Sequence, residues 1–202
     1  LGSELGSMIA RTAARPRMAL AGAQALLAAA IAYTSAMLAN VLPYWPIDPW
    51  LALSPWFTFQ VDVLRTAVTI FPATLLWGAS FPLALASIAE PGQDPGKLSG
   101  EAYAANTIGA IAGAFAFSII LTPRIGTFES ERLLIAISTL SALVLVVEWK
   151  RPFRIATQAL EASAFVALAL ILMFSISDIP WRVVAYGHRI ASTLRAVDLY
   201  PS

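Results

Sequence analysis

The sequence contains no cysteine and only one histidine, His188. The absence of cysteine excludes disulfides, thiolate nucleophiles and cysteine-ligated metals, and a single histidine argues against a histidine-built metal site. Charge is also scarce, with 13 basic and 12 acidic side chains and a net charge of +1. The chain therefore has no basic field of the kind that attracts nucleic acid, and we expect neither a metal centre nor a nucleic-acid partner.

Apolar residues are abundant instead. They make up 58% of the chain, and the mean hydropathy is +0.73, whereas soluble domains average about 45–50% apolar residues. This composition predicts an integral membrane protein of the all-α class, a polytopic bundle of transmembrane helices with the lipid bilayer as partner.

Five apolar stretches approach the length of about 20 helical residues that crosses a bilayer. They are Met18–Leu42, Val63–Ile88, Ala102–Thr122, Leu133–Trp149 and Ile155–Ile176. The opening residues 1–10 are typical of the end of a further helix, whose beginning we expect to precede this sequence. We assign residues 1–177 to a transmembrane helical domain that lacks its first helices, and residues 178–202 to a tail or linker.

The distribution of basic residues predicts the orientation, because cytoplasmic loops are rich in Lys and Arg. One cluster precedes the first full span (Arg11, Arg15 and Arg17), and another lies between the fourth and fifth (Lys150, Arg151 and Arg154). The aromatic loop Pro43–Gln60 contains no basic residue and suits a headgroup-level aromatic belt outside the cytoplasm, with an aromatic ligand pocket as the alternative. Strict alternation also sends the tail outside, although it holds Arg182, Arg189 and Arg195.

The second span contains the stretch "FPATLLWGASFPLALA", residues 71–86. Pro72 and Pro82 each remove a backbone donor, while Gly78 and Ser80 leave the backbone open to close approach. Neighbouring helices can satisfy the freed carbonyls, so we favour structural kinks. A broken helix that lines a binding site is the alternative.

The third span contains "YAANTIGAIAGAFAFSIILTPRIGT", residues 103–127. Ala105, Gly109 and Gly113 recur every four residues, a pattern that lets another helix pack closely. Asn106 and Thr107 are polar residues in an apolar helix, and we expect them to hydrogen-bond across that contact. A polar substrate site is the alternative interpretation.

The two quoted stretches, together with the opening "GSELGSMIARTAARPR", resemble the membrane region of spermidine-synthase-like proteins, multi-spanning relatives of the polyamine aminopropyltransferases. That family has a kinked helix with a G-A-x-x-P pattern before a Y-A-x-N-T-x-G-A helix that ends in a Pro-x-x-Gly turn. The tail "DIPWRVVAYGHRIASTLRAVDLYPS" is similar to the segment leading into the family's catalytic domain. The resemblance implies a multi-pass protein, which we expect in a bacterial cytoplasmic (inner) membrane.

The resemblance also implies an adjoining α/β domain, which in this family binds decarboxylated S-adenosylmethionine through a glycine-rich loop. No glycine-rich loop of that form occurs in these 202 residues. No catalytic or cofactor-binding residue is therefore carried over, and we expect no cofactor in this chain. If the full-length protein is an aminopropyltransferase-like enzyme, its chemistry lies outside this sequence.

Few ionisable residues remain as candidates. Glu161 lies within the last span, where an ionisable residue is by default a functional hypothesis, although pairing with Arg154 is the simpler account. Asp62 and Arg65 lie one helical turn apart, which predicts a local ion pair. The residues proposed for helix packing or for a polar site are Tyr103, Ala105, Asn106, Thr107, Gly109, Gly113, Gly78, Ser80, Pro82 and Glu161.

Two functions of different classes fit these features. One is the membrane domain of a spermidine-synthase-like protein, which anchors an α/β catalytic domain or passes an amine to it. The other is a non-enzymatic membrane subunit that packs against other membrane helices in a larger complex. An independent transporter is less well supported, because the spans carry few buried charges.

Overall fold

The fold is a bundle of apolar helices. The computed structural model describes residues 1–45, 54–146 and 155–176, and all the regular structure within these ranges is helical. The helices are α1 (Gly2–Thr12), α2 (Pro16–Ala36), α3 (Pro55–Ile88), α4 (Pro95–Phe115), α5 (Thr122–Val146) and α6 (Ile155–Ser175). A π-helical segment, Met37–Val41, extends α2, and another, Ala116–Leu121, joins α4 to α5. This confirms the prediction of an all-α bundle.

The starts of the helices follow from local sequence signals. Proline lies in the first turn of α2, α3 and α4, where its missing N–H needs no intrahelical partner. The Ser54 hydroxyl accepts a hydrogen bond from the Phe57 amide, and the Asp94 carboxylate accepts one from the Gly96 amide. These side chains satisfy amide groups that the first turn leaves without partners.

Helix α2 lies at the centre of the bundle. Its alanine-rich surface packs against α3 and α5, and many of its side chains are buried. The main core cluster joins Leu27 and Ile31 of α2 to Ala73 of α3, Ile135 of α5 and Ala169 of α6. Small side chains allow such close approach, which gives van der Waals contact between helices in a bilayer.

Helix α5 runs antiparallel to α2. Near its start, the Arg17 guanidinium donates a hydrogen bond to the carbonyl of Val144, at the end of α5. Near the end of α2, Ser35 lies beside Glu131, early in α5. The pairing is therefore antiparallel.

Helices α3 and α6 follow the same alternation. Gln24 of α2 reaches Ser80 of α3, whereas the later Thr34 donates to the carbonyl of the earlier Thr69. Helix α6 runs antiparallel to α5, because Arg132 of α5 donates to the carbonyl of Met173 near the end of α6.

Helix α1 packs on α3 through glycine. An added Cβ on Gly6 would lie 2.5 Å from the Ala79 carbonyl oxygen, and one on Gly2 would lie 3.1 Å from the Cα of Gly78. The two backbones are therefore in direct contact, which is the close approach that small residues permit in membranes. The sequence interpretation left Gly78 open to close approach but named no partner for it.

A sharp turn separates α4 from most of α5. Gly126 has φ of 79° and ψ of 173°, a conformation that is essentially restricted to glycine. Across this turn the hydroxyl oxygens of Thr122 and Ser130 lie 3.4 Å apart. In a straight helix, residues eight apart are separated by about 12 Å along the axis, so the chain bends back on itself here.

In the part of the chain that the structure describes, three helical segments are long and apolar enough to cross a membrane. They are Pro16–Val41, Pro55–Ile88 and Pro95–Val146. The prediction of five full spans is thus confirmed only in its coarser form, as a membrane-type bundle. The third predicted span, and the fourth as far as Val146, fall within one segment of 52 residues. The apolar part of α6, Ala159–Ser175, is shorter than the roughly 20 residues of a full crossing.

Helix α3 continues through both internal prolines. It is one element of 34 residues from Pro55 to Ile88, so the structure does not contain the broken helix considered as an alternative. Pro72 cannot donate to the Val68 carbonyl, and the Tyr33 hydroxyl of α2 lies 3.4 Å from that oxygen. A neighbouring helix thus partly satisfies the freed carbonyl.

Three predictions concern residues outside the described ranges. They are the placement of Trp50 in the aromatic loop, the basic cluster from Lys150 to Arg154, and the tail 178–202 with His188.

Candidate functional site

The candidate site is a cavity between α2, α3, α4 and α5. It has a volume of about 770 Å³, which lies within the range of small-molecule sites. Its walls are formed by Leu20, Gln24, Trp77, Ser80, Phe81, Ala84, Ser87, Ile88, Ala102, Ala105, Asn106, Leu140, Ser141, Val144 and Leu145. None of these described lining side chains is charged. The cavity therefore presents apolar and aromatic surface with a small number of uncharged hydrogen-bonding groups.

The cavity lies towards one end of the bundle. Leu20 is one turn beyond Arg17 in α2, and Ile88 is the last residue of α3. Val144 contributes to the wall, and its carbonyl accepts the hydrogen bond from Arg17. The cavity is thus nearest the end of the bundle that carries the first basic cluster.

Two polar groups of the wall bond directly to each other. The Gln24 side-chain amide donates to the Ser80 hydroxyl oxygen at 3.1 Å, and Ser80 donates to the Leu76 carbonyl of its own helix at 2.8 Å. This pair joins α2 to α3. A polar bond of this kind between spanning helices contributes about 0.6 kcal/mol on average.

Asn106 and Ala105 belong to the same cavity. Asn106 makes no hydrogen bond to another residue in the described part of the chain, and both residues are accessible. Next to them, the ring of Tyr103 meets the ring of Phe81 edge to face, with centroids 6.4 Å apart. The structure thus brings together Ser80, Ala105 and Asn106 from the predicted set, with Tyr103 at the cavity's edge.

The predicted hydrogen bonds across the α4 contact are not seen. The Thr107 hydroxyl donates to the Tyr103 carbonyl of its own helix at 2.8 Å. A bond back to residue i−4 is common for Ser and Thr in helices. Within the described residues, neither Asn106 nor Thr107 holds α4 to another helix.

The small-residue face of α4 also lacks the predicted partner. Ala105 and Gly109 are exposed, and added Cβ atoms on Gly109 and Gly113 would meet nothing within 4 Å. No described helix covers this face, and the expectation that it is buried against protein stays a prediction. A four-residue spacing of small side chains identifies a face that another helix can approach closely, but it does not predict which helix packs there.

The other predicted residues lie away from the cavity. Gly78 contacts α1, Pro82 is half-buried inside the continuous α3, and Glu161 is exposed on α6. The suggested pairing of Glu161 with Arg154 involves a residue outside the described ranges.

The predicted ion pair at the other end of α3 is confirmed. The Arg65 guanidinium lies 3.6 Å from the Asp62 carboxylate. Arg65 is only 7% exposed and also donates to the Trp45 carbonyl at 3.1 Å. Asp62 remains largely exposed, so the pair itself contributes at most about 1 kcal/mol. This pair is structural and remote from the cavity.

The sequence interpretation missed Gln24, Trp77, Phe81 and Ser141. Gln24 carried a usable signal, because it is the only polar side chain between Arg17 and Tyr33. A lone amide in an alanine-rich span needs a hydrogen-bonding partner within the bilayer. The aromatic and serine residues gave no comparable signal, since such side chains occur throughout the chain.

Comparison with known proteins assigns no family to this chain. No protein-family model, no curated protein and no solved structure matches the chain. The resemblance to spermidine-synthase-like proteins is therefore still a prediction, carried by the quoted sequence stretches.

Proposed function

We propose that this chain is the membrane domain of a spermidine-synthase-like protein, and that it anchors a polyamine aminopropyltransferase-type α/β domain. One observation carries the proposal. The two stretches on which the resemblance rests, "GASFPLALA" and "YAANTIGA", come together in space, since Ser80 and Phe81 of the first line the same cavity as Ala105 and Asn106 of the second. Their proximity supports a shared structural role.

The proposal includes five membrane crossings in a bacterial cytoplasmic membrane. In this arrangement the 52-residue segment Pro95–Val146 crosses twice and reverses at Gly126. Support comes from the short Thr122–Ser130 distance at the turn and from the antiparallel contacts of α5 with α2. Helix α6 is the fifth crossing, with residues before Ala159 completing its length.

An anchoring role is favoured over transfer of an amine through the cavity. Polyamines are multiply charged cations, and a cation loses its hydration when it enters an apolar site. Among the residues that the structure describes, the cavity lining contains no carboxylate that would compensate for this loss. The lining therefore argues against polyamine binding at this place.

The test is the gene that encodes this chain. A glycine-rich strand–loop–helix encoded after Ser202, and aminopropyl transfer from decarboxylated S-adenosylmethionine to putrescine by the full-length product, would support the proposal. The 202-residue chain alone should give no transfer and serves as the matched control.

A second candidate, a non-enzymatic subunit of a membrane complex, is favoured by one observation. Residues 99–115 of α4 are almost entirely exposed, which is unusual for a helix in a complete bundle. A stop codon directly after Ser202, with stable co-purification of other membrane subunits, would support this candidate and contradict the first.

A further inference from the structure

The cavity's hydroxyl groups are mainly acceptors. Ser80, Ser87 and Ser141 each donate their hydroxyl hydrogen to a carbonyl of their own helix, at 2.8, 2.7 and 2.9 Å. The oxygen atoms still have lone pairs available. A molecule in this cavity can donate hydrogen bonds to the serine oxygens, but it cannot receive their hydrogens without breaking an existing bond.

Asn106 supplies the complementary donors. Its amide carries two N–H donors and a carbonyl acceptor, and it bonds to no other residue in the parts of the chain that the structure describes. Asn106 lies four residues beyond Ala102, where the predicted third span begins, about 6 Å along α4 at 1.5 Å per residue. Because this amide is exposed and has no partner among the described residues, a hydrogen-bonding occupant of the cavity can satisfy it.

The remaining wall suits an apolar body. Trp77 and Phe81 of α3 face the cavity together with Leu140 and Val144 of α5. A lipid chain that packs against such side chains gains van der Waals contact, but no hydrophobic free energy, because the surrounding lipid tails are equally apolar. The cavity thus combines a polar region that both donates and accepts with an apolar region, and none of its described lining side chains is charged.

The geometry points to a binding site for a neutral amphipathic lipid, with an uncharged hydroxyl-bearing head beside Gln24 and Asn106 and its hydrocarbon against Trp77 and Phe81. This inference goes beyond the proposed anchoring function and does not depend on it. The cavity can bind lipid even if no catalytic domain adjoins this chain. A full-length protein can likewise catalyse aminopropyl transfer even if the cavity binds no lipid.

The test uses the purified chain in phosphatidylcholine nanodiscs with radiolabelled monooleoylglycerol as the probe. We expect saturable binding that unlabelled monooleoylglycerol displaces. Oleate has the same hydrocarbon with a charged head, and spermidine is a cation without hydrocarbon; both should compete at least tenfold less well. Equal competition by either one would overturn the inference of a neutral ligand.

Two matched pairs of variants locate the site. Asn106→Leu should weaken binding at least tenfold, whereas Asn40→Leu, at an exposed position on the π-helical extension of α2, should change it less than twofold. Ala105→Phe should fill the cavity and weaken binding at least tenfold, whereas Ala104→Phe, whose side chain does not line it, should not.

Thermal unfolding in the same nanodiscs shows which variants are folded. Lipid affinities are compared only for variants that unfold at the same temperature as the parent chain. Absence of saturable binding to the parent chain would overturn the inference. Equal binding by both members of each pair would also overturn it, because the lipid would then bind elsewhere on the protein.

Discussion

The hydroxyl oxygens of Thr122 and Ser130 lie 3.4 Å apart across the turn at Gly126. Eight residues of straight helix would separate them by about 12 Å. This contact therefore marks a sharp bend within the 52-residue helical segment Pro95–Val146.

Replacement of Gly126 by alanine should destabilise the bundle. The glycine has φ of 79° and ψ of 173°, a conformation that costs other residues about 1–3 kcal/mol. Gly100→Ala is the control, because Gly100 lies in α4 with nothing within 4 Å of an added Cβ. Thermal unfolding in detergent measures both. Equal stability of the two variants would show that the turn conformation is not required.

Cysteine labelling should detect the double crossing. The chain contains no cysteine, so single cysteines at Arg15, Gln93 and Arg124 can be labelled in intact cells without background. Arg15→Cys and Gln93→Cys should be protected from a membrane-impermeant maleimide, whereas Arg124→Cys should react, because α4 crosses between Gln93 and Arg124. The same response at Gln93 and Arg124 would contradict the crossing. Trp50→Cys and Arg151→Cys extend the test to the predicted outer and cytoplasmic loops.

The contact between α1 and α3 should tolerate no side chain at Gly6. A methyl group there would meet the backbone of Ala79 at 2.5 to 2.9 Å, and backbone atoms cannot move aside as a flexible side chain can. Overpacking of this kind typically costs about 1–3 kcal/mol. Gly22→Ala, in open space on α2, is the control and should be neutral or slightly stabilising. A Gly6→Ala chain that unfolds at the same temperature as the control would show that α1 does not pack as described.

Replacement of both Asn106 and Thr107 by alanine should leave stability within about 0.5 kcal/mol, the usual range for exposed substitutions. Thr107 bonds only within its own helix, and Asn106 bonds to no other described residue. Chemical or thermal unfolding of the double variant is the measurement. A loss of 1 kcal/mol or more would restore the original expectation that these residues join α4 to another helix.

The general architecture was predictable because it depends on composition and on short-range geometry. Apolar runs require helices in a bilayer, and the i, i+3 spacing of Asp62 and Arg65 brings the two charges together on any helix. The sequence analysis also expected a neighbouring helix to satisfy the carbonyls that the prolines of α3 leave free. The Tyr33 hydroxyl, which lies near the Val68 carbonyl freed by Pro72, agrees with this expectation, although the sequence did not identify Tyr33 as the partner.

The pairing of helices could not be predicted in the same way. Gly2 and Gly6 have the same four-residue spacing as Gly109 and Gly113, yet only the first pair contacts another described helix. Small-residue spacing describes one surface, whereas a contact also depends on the opposing surface and on the paths of the intervening turns. For the same reason, the cavity between Gln24 and Asn106 could be recognised only after α2 and α4 were placed around α3.

The most direct test of the proposed anchoring function is aminopropyl transfer in membrane and soluble fractions of bacterial cells that express the full-length gene product. We expect the activity to sediment with membranes, to move to the soluble fraction when residues 1–177 are deleted, and to be absent from cells that express only the 202-residue chain. Transfer by the 202-residue chain alone, or no transfer by the full-length product, would contradict the proposal.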